Sequence, residues 1–224
     1  MNITHAEHEE VNGDKLVAIF NRQKELMGKY HDIEKRSGLL QTEDCPVNLN
    51  DKRGQARIKD FSWRIIEEVG EALDALNVHC DEEHFKEELI DGLHFLVELS
   101  ILAGIEPKDV LPVEMVVEDY LNDMLEKLWE EHYVLLFQDD NEDEVISQII
   151  SDLVMYLGMM CNCLKNKPWK QTNMITDVEQ FKSYLRKVWG VYIALLSTRM
   201  DADEITDVYL KKSQVNKFRQ RSNY

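Results

Sequence analysis

Two stretches decide the reading: EEVGEA at residues 67–72 and EELIDGLHF at residues 87–95. Each sets carboxylic acids among Val, Ala, Leu, Ile and Phe. Glu68 and Glu71 are three residues apart, and so are Glu88 and Asp91. Residues at that spacing share one face of an α-helix, one turn apart. Each pair is a potential pincer, and two antiparallel helices could bring the pincers together. Phe61, Ile65, Val69 and Leu73 form an apolar face that Glu68 and Glu71 flank. On the next segment Phe85, Leu89, Leu93, Leu96 and Leu99 form a stripe, with Glu88 and Asp91 at its edge. One acid pair at such an edge reads as a solvated flank, but two pairs on consecutive helices shift the balance toward inward ligands.

Working outward, the chain has 224 residues with only 9 Gly and 4 Pro, and its apolar residues recur at the helical period throughout. The expectation is all-α, a helical bundle. Helices are predicted at 14–36, 57–78, 82–104, 112–137, 142–165 and 176–199, with a shorter one near 201–211. Long breaks separate them at 38–54, 104–112 and 165–173, where Gly, Pro and Asn cluster. One domain over 1–224 is expected, long enough to bury a core without staples. The acidic run FQDDNEDE at 137–144 reads as a solvated helix start, with acids favouring the N-terminal dipole.

Bulk properties exclude several function classes. A net charge of −17 argues against binding a nucleic acid duplex, which needs a basic surface. A small phosphorylated ligand stays open if metal ions supply the positive charge. No uninterrupted apolar run reaches the roughly 20 residues of a membrane span, so no membrane is expected. The polar, acidic start MNITHAEHEEVNGDK does not resemble a signal peptide. Cys45, Cys80, Cys161 and Cys163 lack zinc-like spacing, and reduced thiols in a cytoplasmic protein are the plain expectation.

Carboxylate oxygens suit Mg²⁺, a hard ion that also retains waters. An i, i+3 pair rises about 4.5 Å along a helix, close to the separation of ions in two-metal phosphoryl sites. Four such acids suit Mg²⁺ bridging a polyphosphate. A di-iron bundle needs Glu-x-x-His on each of two facing helices. Here Asp81-x-x-His84 and Asp91-x-x-His94 lie on one segment and cannot face each other. His79, Cys80 and His84 lack the second ligand pair that zinc requires. His94 reads either as a core-edge histidine or as a residue of a nucleoside pocket beside the metal site. In the first helix, Gln23 falls on the stripe of Leu16, Phe20, Met27 and Tyr30.

With these residues in view, the sequence resembles the all-α NTP pyrophosphatase superfamily, marked by Glu-x-x-Glu followed by Glu-x-x-Asp on the next helix. Within it the chain looks most like the dimeric dUTPases, including phage-encoded ones. FNRQKELMGKYHDIE (20–34) is similar to the first family helix, and IIEEVGEAL (65–73) and EELIDGLHFLVEL (87–99) to the metal helices. NCLKNKPWK (162–170) is similar to a Lys/Trp-Lys segment, and YLKKSQVNKFRQRSNY (209–224) to the C-terminal motif. Two departures concern the base and sugar pocket. Leu26 and Met27 stand where the family often has Asn, and DALNVHCDEEHFK (74–86) lacks the family's inter-helix tryptophans.

The resemblance implies a homodimer cleaving a deoxyuridine triphosphate to monophosphate and pyrophosphate, in the host cytoplasm if the protein is phage-encoded. It implies Mg²⁺ held by Glu68, Glu71, Glu88 and Asp91, with one of Glu67, Glu68 or Glu71 as general base. It divides the chain into a substrate helix (13–37), a metal-binding pair (57–104), second-half helices (112–199) and a phosphate-binding tail (201–224). Triphosphate and four carboxylates together outweigh a pair of Mg²⁺ in charge, so basic groups must reach the phosphates. Lys165, Trp169 and Lys170 are candidates, with Tyr209, Lys212, Asn216 and Arg219 from the tail. Gln23 would bond the pyrimidine edge, beside His94 and Phe95. The tail is expected to be mobile without ligand. Another pyrimidine nucleotide such as dCTP, or a catalytically silent helical dimer acting as a binding module, are the alternative readings.

Overall fold

The computed structural model describes residues 6–8, 10–111, 119–128, 142–167 and 169–221. Among them every regular element is helical: α1 (Lys15–Ser37), α2 (Lys52–Asp74), a π-helical turn (Ala75–His79), α3 (Glu82–Leu102), α4 (Pro107–Val110), α5 (Tyr120–Leu128), α6 (Glu142–Cys163), α7 (Val178–Ser197) and α8 (Ala202–Arg221). The all-α expectation holds. Most of the helix predicted at 112–137, and the acidic run at 137–141, lie outside the described residues.

Aspartates start most of the long helices, each accepting orphan backbone N–H groups. Asp14 accepts from Val17, Asp81 from His84, Asp177 from Gln180 and Asp201 from Glu204. Asp51 accepts from Arg53 and Gly54. That cap starts α2 at Lys52, five residues ahead of the predicted 57. Gly38, at φ 73°, ends α1 in a left-handed conformation that a side chain would resist.

The tightest pairing is α2 on α3, followed by α6 on α7. Gly92 governs the first. A Cβ there would lie 2.1 Å from Tyr192 Oη and 3.3 Å from Glu68 Cβ. Its absence lets the Tyr192 hydroxyl donate to the Leu89 carbonyl at 2.7 Å while α2 lies close alongside. Farther along α3, Trp189 Nε1 donates to Ser100 Oγ at 2.9 Å and its ring stacks on Phe20.

The apolar arc on α3 is absorbed within the chain: Leu96, Leu99, Ile101 and Leu102 are buried. On α6 Ile146, Ile149 and Leu153 are buried too, which leaves Val154, Met155 and Met159 exposed at 47%, 49% and 40%. By length and composition alone, Glu144–Cys163 is apolar enough to cross a membrane. It passes because Glu144 and Asp152 are its only charges, an interruption that the expectation of no apolar span had weighed more heavily.

The C-terminal segment departs from expectation. Helix α8 continues to Arg221 instead of ending near 211, with Lys212, Ser213 and Val215 buried. Its polar residues find partners on other helices: Lys217 Nζ lies 2.8 Å from Glu25 Oε2, and Lys212 Nζ 2.8 Å from Asp91 Oδ2. Helix α8 packs against α1 and α3.

Candidate active site

Glu68 and Glu71 from α2 and Glu88 from α3 place one carboxylate oxygen each within 4.8 Å of one another. The i, i+3 spacing puts the first two on one face of α2, and the Gly92 approach brings α3 against it. Glu88 is only 7% exposed, Glu68 is half-buried and Glu71 faces solvent. Burial is the largest cause pushing the Glu68 carboxyl up to about 8, followed by the charge of Asp91 and by the hydrogen bond and charge of Glu88. Three hard oxygen donors at this separation, with little room for uncompensated negative charge, fit a divalent cation such as Mg²⁺.

The fourth predicted ligand, Asp91, is engaged differently. Its Oδ2 pairs with Lys212 at 2.8 Å, and Glu87 Oε2 stands 3.5 Å from the same ammonium. Burial pushes the Asp91 carboxyl up, opposed by the charges of Lys212 and Arg219. For Lys212, burial works against the charge, but Asp91 and Glu87 hold its pKa above the usual lysine value. Glu67 lies outside the cluster: it is exposed, and its Oε1 accepts from Trp63 Nε1 at 2.7 Å along its own helix.

A cavity of about 250 Å³ runs from the acids along α3, lined among others by Gln23, Glu68, Asp91, His94, Phe95 and Asn216. Asp91, His94 and Glu98 recur on one face of α3, two turns in all. Gln23 anchors the inner end. Its Oε1 accepts from Tyr209 Oη at 2.8 Å and from His94 Nδ1 at 2.9 Å, while its Nε2 donates to Glu98 Oε2 at 2.8 Å. Turning the amide over would set its oxygen against the Glu98 carboxylate, so this orientation also puts the His94 proton on Nδ1. Burial, then the Lys212 charge, push the His94 imidazole down to about 3 and keep it neutral. The His94 ring stacks on Tyr209 with centroids 3.8 Å apart. Gln23 thus keeps one amide hydrogen for a ligand.

Phe95 packs edge-on against Phe61, and the Arg64 guanidinium lies over both rings. Within one chain the structure does not bring Lys165, Trp169 and Lys170 to this cavity. Their loop sits against the start of α2, where Lys59 Nζ donates to the Asn166 carbonyl and Lys52 Nζ to that of Lys170. Lys59 precedes Glu68 by 9 residues and Lys52 by 16, about 13 and 24 Å along the helix. Trp169 is 77% exposed. Arg219 is exposed near the acids, and Asn216 lines the cavity.

Sequence reasoning missed an ionic network behind the pocket. Arg57, 1% exposed, reaches Glu34 Oε2 at 2.8 Å and Glu98 Oε1 at 3.7 Å, and Arg64 reaches Glu34 Oε1 at 3.2 Å. The available signal was a charge inside each apolar run: Arg57 in ARI at 56–58, and Glu98 in LVELSIL at 96–102.

Compared with known proteins, residues 15–224 match the sequence model of one family, described as dUTPase. No curated protein and no solved structure matches the chain.

Proposed function

The chain belongs to the dUTPase family, and from that premise we propose that it hydrolyses dUTP to dUMP and pyrophosphate with Mg²⁺, limiting uracil incorporation into DNA. The observation that carries this reading is the convergence of Glu68, Glu71 and Glu88 at one end of a cavity walled by amides and aromatic rings. Glu68 and Glu88, held between α2 and α3, would hold the ion, with Asp91 joining once Lys212 releases it. When bound, Mg²⁺ supplies positive charge to the phosphate oxygens and acidifies a water. Glu71, the solvent-facing member of the cluster, would take the proton of the attacking water. Lys212 and Arg219 carry the positive charge that the acids lack, Lys212 exchanging its carboxylate partner for phosphate oxygens.

Phe95 and Leu26 give the nucleoside end its apolar bulk, and Tyr209, fully buried outside the cavity lining, supports it through His94 and Gln23. Lys165, Trp169 and Lys170 do not line the cavity of their own chain, so a phosphate role for them would draw on a second copy of the chain. The exposed Val154, Met155 and Met159 face of α6 supports a homodimer. The test is pyrophosphate release from a panel of dUTP, dCTP, dTTP and dATP with Mg²⁺ and with chelator. Release from dUTP that chelator abolishes is expected. No release from any of the four would overturn the reading.

A further inference from the structure

Resting on that reading, we propose that Glu98 is a specificity-determining residue, whose Oε1 accepts the N3–H of uracil at the inner end of the cavity. Glu98 is 4% exposed and its side chain forms part of the cavity wall. Its two oxygens differ. Oε2 is committed to Gln23 Nε2 at 2.8 Å. Oε1 has two nitrogens beyond hydrogen-bond length, His31 Nε2 at 3.6 Å and the Arg57 guanidinium Nη2 at 3.7 Å. Among the described residues, no hydrogen bond to Oε1 is formed. Neither nitrogen has another hydrogen-bond partner among the described residues, and Glu98 also lines the cavity, from which a further donor can reach an acceptor not yet hydrogen-bonded.

The position along α3 matches the demand. Glu98 follows Asp91 by seven residues on the same face, about 10 Å farther from the acids. A nucleotide with its phosphates at Glu68 and Glu88 would lay its base at that inner end, against Phe95 and Leu26. Gln23 cannot take the N3–H, because its carbonyl already accepts from Tyr209 and His94. The pyrimidine edge of uracil presents an acceptor, the N3–H donor and a second acceptor. Glu98 Oε1 supplies the central acceptor. The remaining amide hydrogen of Gln23 supplies a donor to the neighbouring acceptor. Cytosine presents a lone pair at N3, which would face the carboxylate oxygen and be repelled. Arg57, buried behind Glu98, is a positioning residue that keeps negative charge at this depth tolerable.

The experiment compares kcat/KM for dUTP and dCTP in the wild-type protein and in Glu98→Gln, which keeps the side-chain size. A site that hydrogen-bonds its substrate rejects the mismatched partner strongly. The expected result is a wild-type preference for dUTP and a 10- to 100-fold drop on dUTP in E98Q. The drop on dCTP should be much smaller, so the ratio collapses at least tenfold. Mn²⁺ affinity without nucleotide, read by electron paramagnetic resonance, should stay within about twofold, separating base recognition from the acids. A second arm needs no variant: N3-methyl-dUTP, which keeps both carbonyl acceptors and has no N3–H to donate, should lose at least a similar factor on the wild-type protein. If E98Q fails to fold by circular dichroism, that arm decides alone. An unchanged dUTP-to-dCTP ratio in folded E98Q, or full turnover of the N3-methyl analogue, overturns the role of Glu98. A wild-type preference for dCTP overturns it as well and leaves pyrophosphatase chemistry standing. Failure to cleave any nucleotide overturns the parent reading and this one together.

Discussion

Replacing Glu68 by Gln should stabilise the metal-free protein at alkaline pH and abolish its response to Mg²⁺. The Glu68 carboxyl rises from 4.5 in an open chain to about 8 in the fold, through burial first and then the charges of Asp91 and Glu88. Between those values the folded state holds a proton that the unfolded chain has released. Stability contributed by this group is therefore complete below pH 4.5 and is lost as pH climbs toward 8. Each pH unit of that interval corresponds to about 1.4 kcal/mol, so the upper bound is ~5 kcal/mol. Glu68 is only half-buried and Glu71 beside it faces water, so solvent screening reduces this to ~2 kcal/mol. For a chain of 224 residues that corresponds to about 4–8 °C in melting temperature. The assay is a series of thermal melts from pH 5 to 9 in chelator and in excess Mg²⁺. Wild type should lose stability with rising pH in chelator and recover it with Mg²⁺. E68Q should lack this descent, melt above wild type at pH 8.5 in chelator, and gain nothing from the ion. An E68Q protein that melts below wild type under those conditions would refute the stored repulsion among these acids.

Lys212→Met leaves Asp91 and Glu87 facing each other unpaired and should cost about 3 kcal/mol, read as a lower melting temperature in chelator; an unchanged melt would mean that the pair contributes nothing. Gly92→Ala drives a methyl group into the Tyr192 hydroxyl and should cost about 2 kcal/mol, with lower turnover as α2 and α3 part. Equal stability and turnover would show that the contact gives way freely. Light scattering at micromolar concentration should give a dimer mass, and Met155→Asp with Met159→Asp should shift it to the monomer while slowing turnover. A monomer mass for the wild type would remove the second copy from the proposed phosphate contacts.

The acid pairs were legible because helical periodicity is local: Glu68, Glu71, Glu88 and Asp91 reveal their faces through their immediate neighbours. Helix starts were legible where an aspartate precedes the apolar period. At α2 the first turn is Lys52 and Arg53, without apolar residues, so the pattern emerges only after the helix has begun. The extension of α8 was hidden for another reason. Lys212 reads in the sequence as a phosphate contact on a mobile tail, and the pairings of Lys212 with Asp91 and of Lys217 with Glu25 come from helices more than a hundred residues away. The buried Arg57 and Glu98 escape notice likewise, since a charge in an apolar stripe declares neither burial nor partner. The loop of Lys165 and Trp169 is placed by tertiary bonds alone. Asn166 clasps Met174 through two backbone hydrogen bonds, and Thr176 ties the segment to Leu49 and Asn50.

Gln23 joins three helices through a single amide: Glu98 and His94 on α3, and Tyr209 on α8. Four side chains sharing one donor–acceptor assignment should not respond independently to substitution. Removing any one frees the amide to turn, and the others then meet the wrong partner. Double-mutant cycles among them should give coupling energies above those of packed but unbonded neighbours. For an engineer altering the base preference, single exchanges at these positions would mislead, because each is tolerated or rejected according to the other three. The productive unit of variation is the quartet.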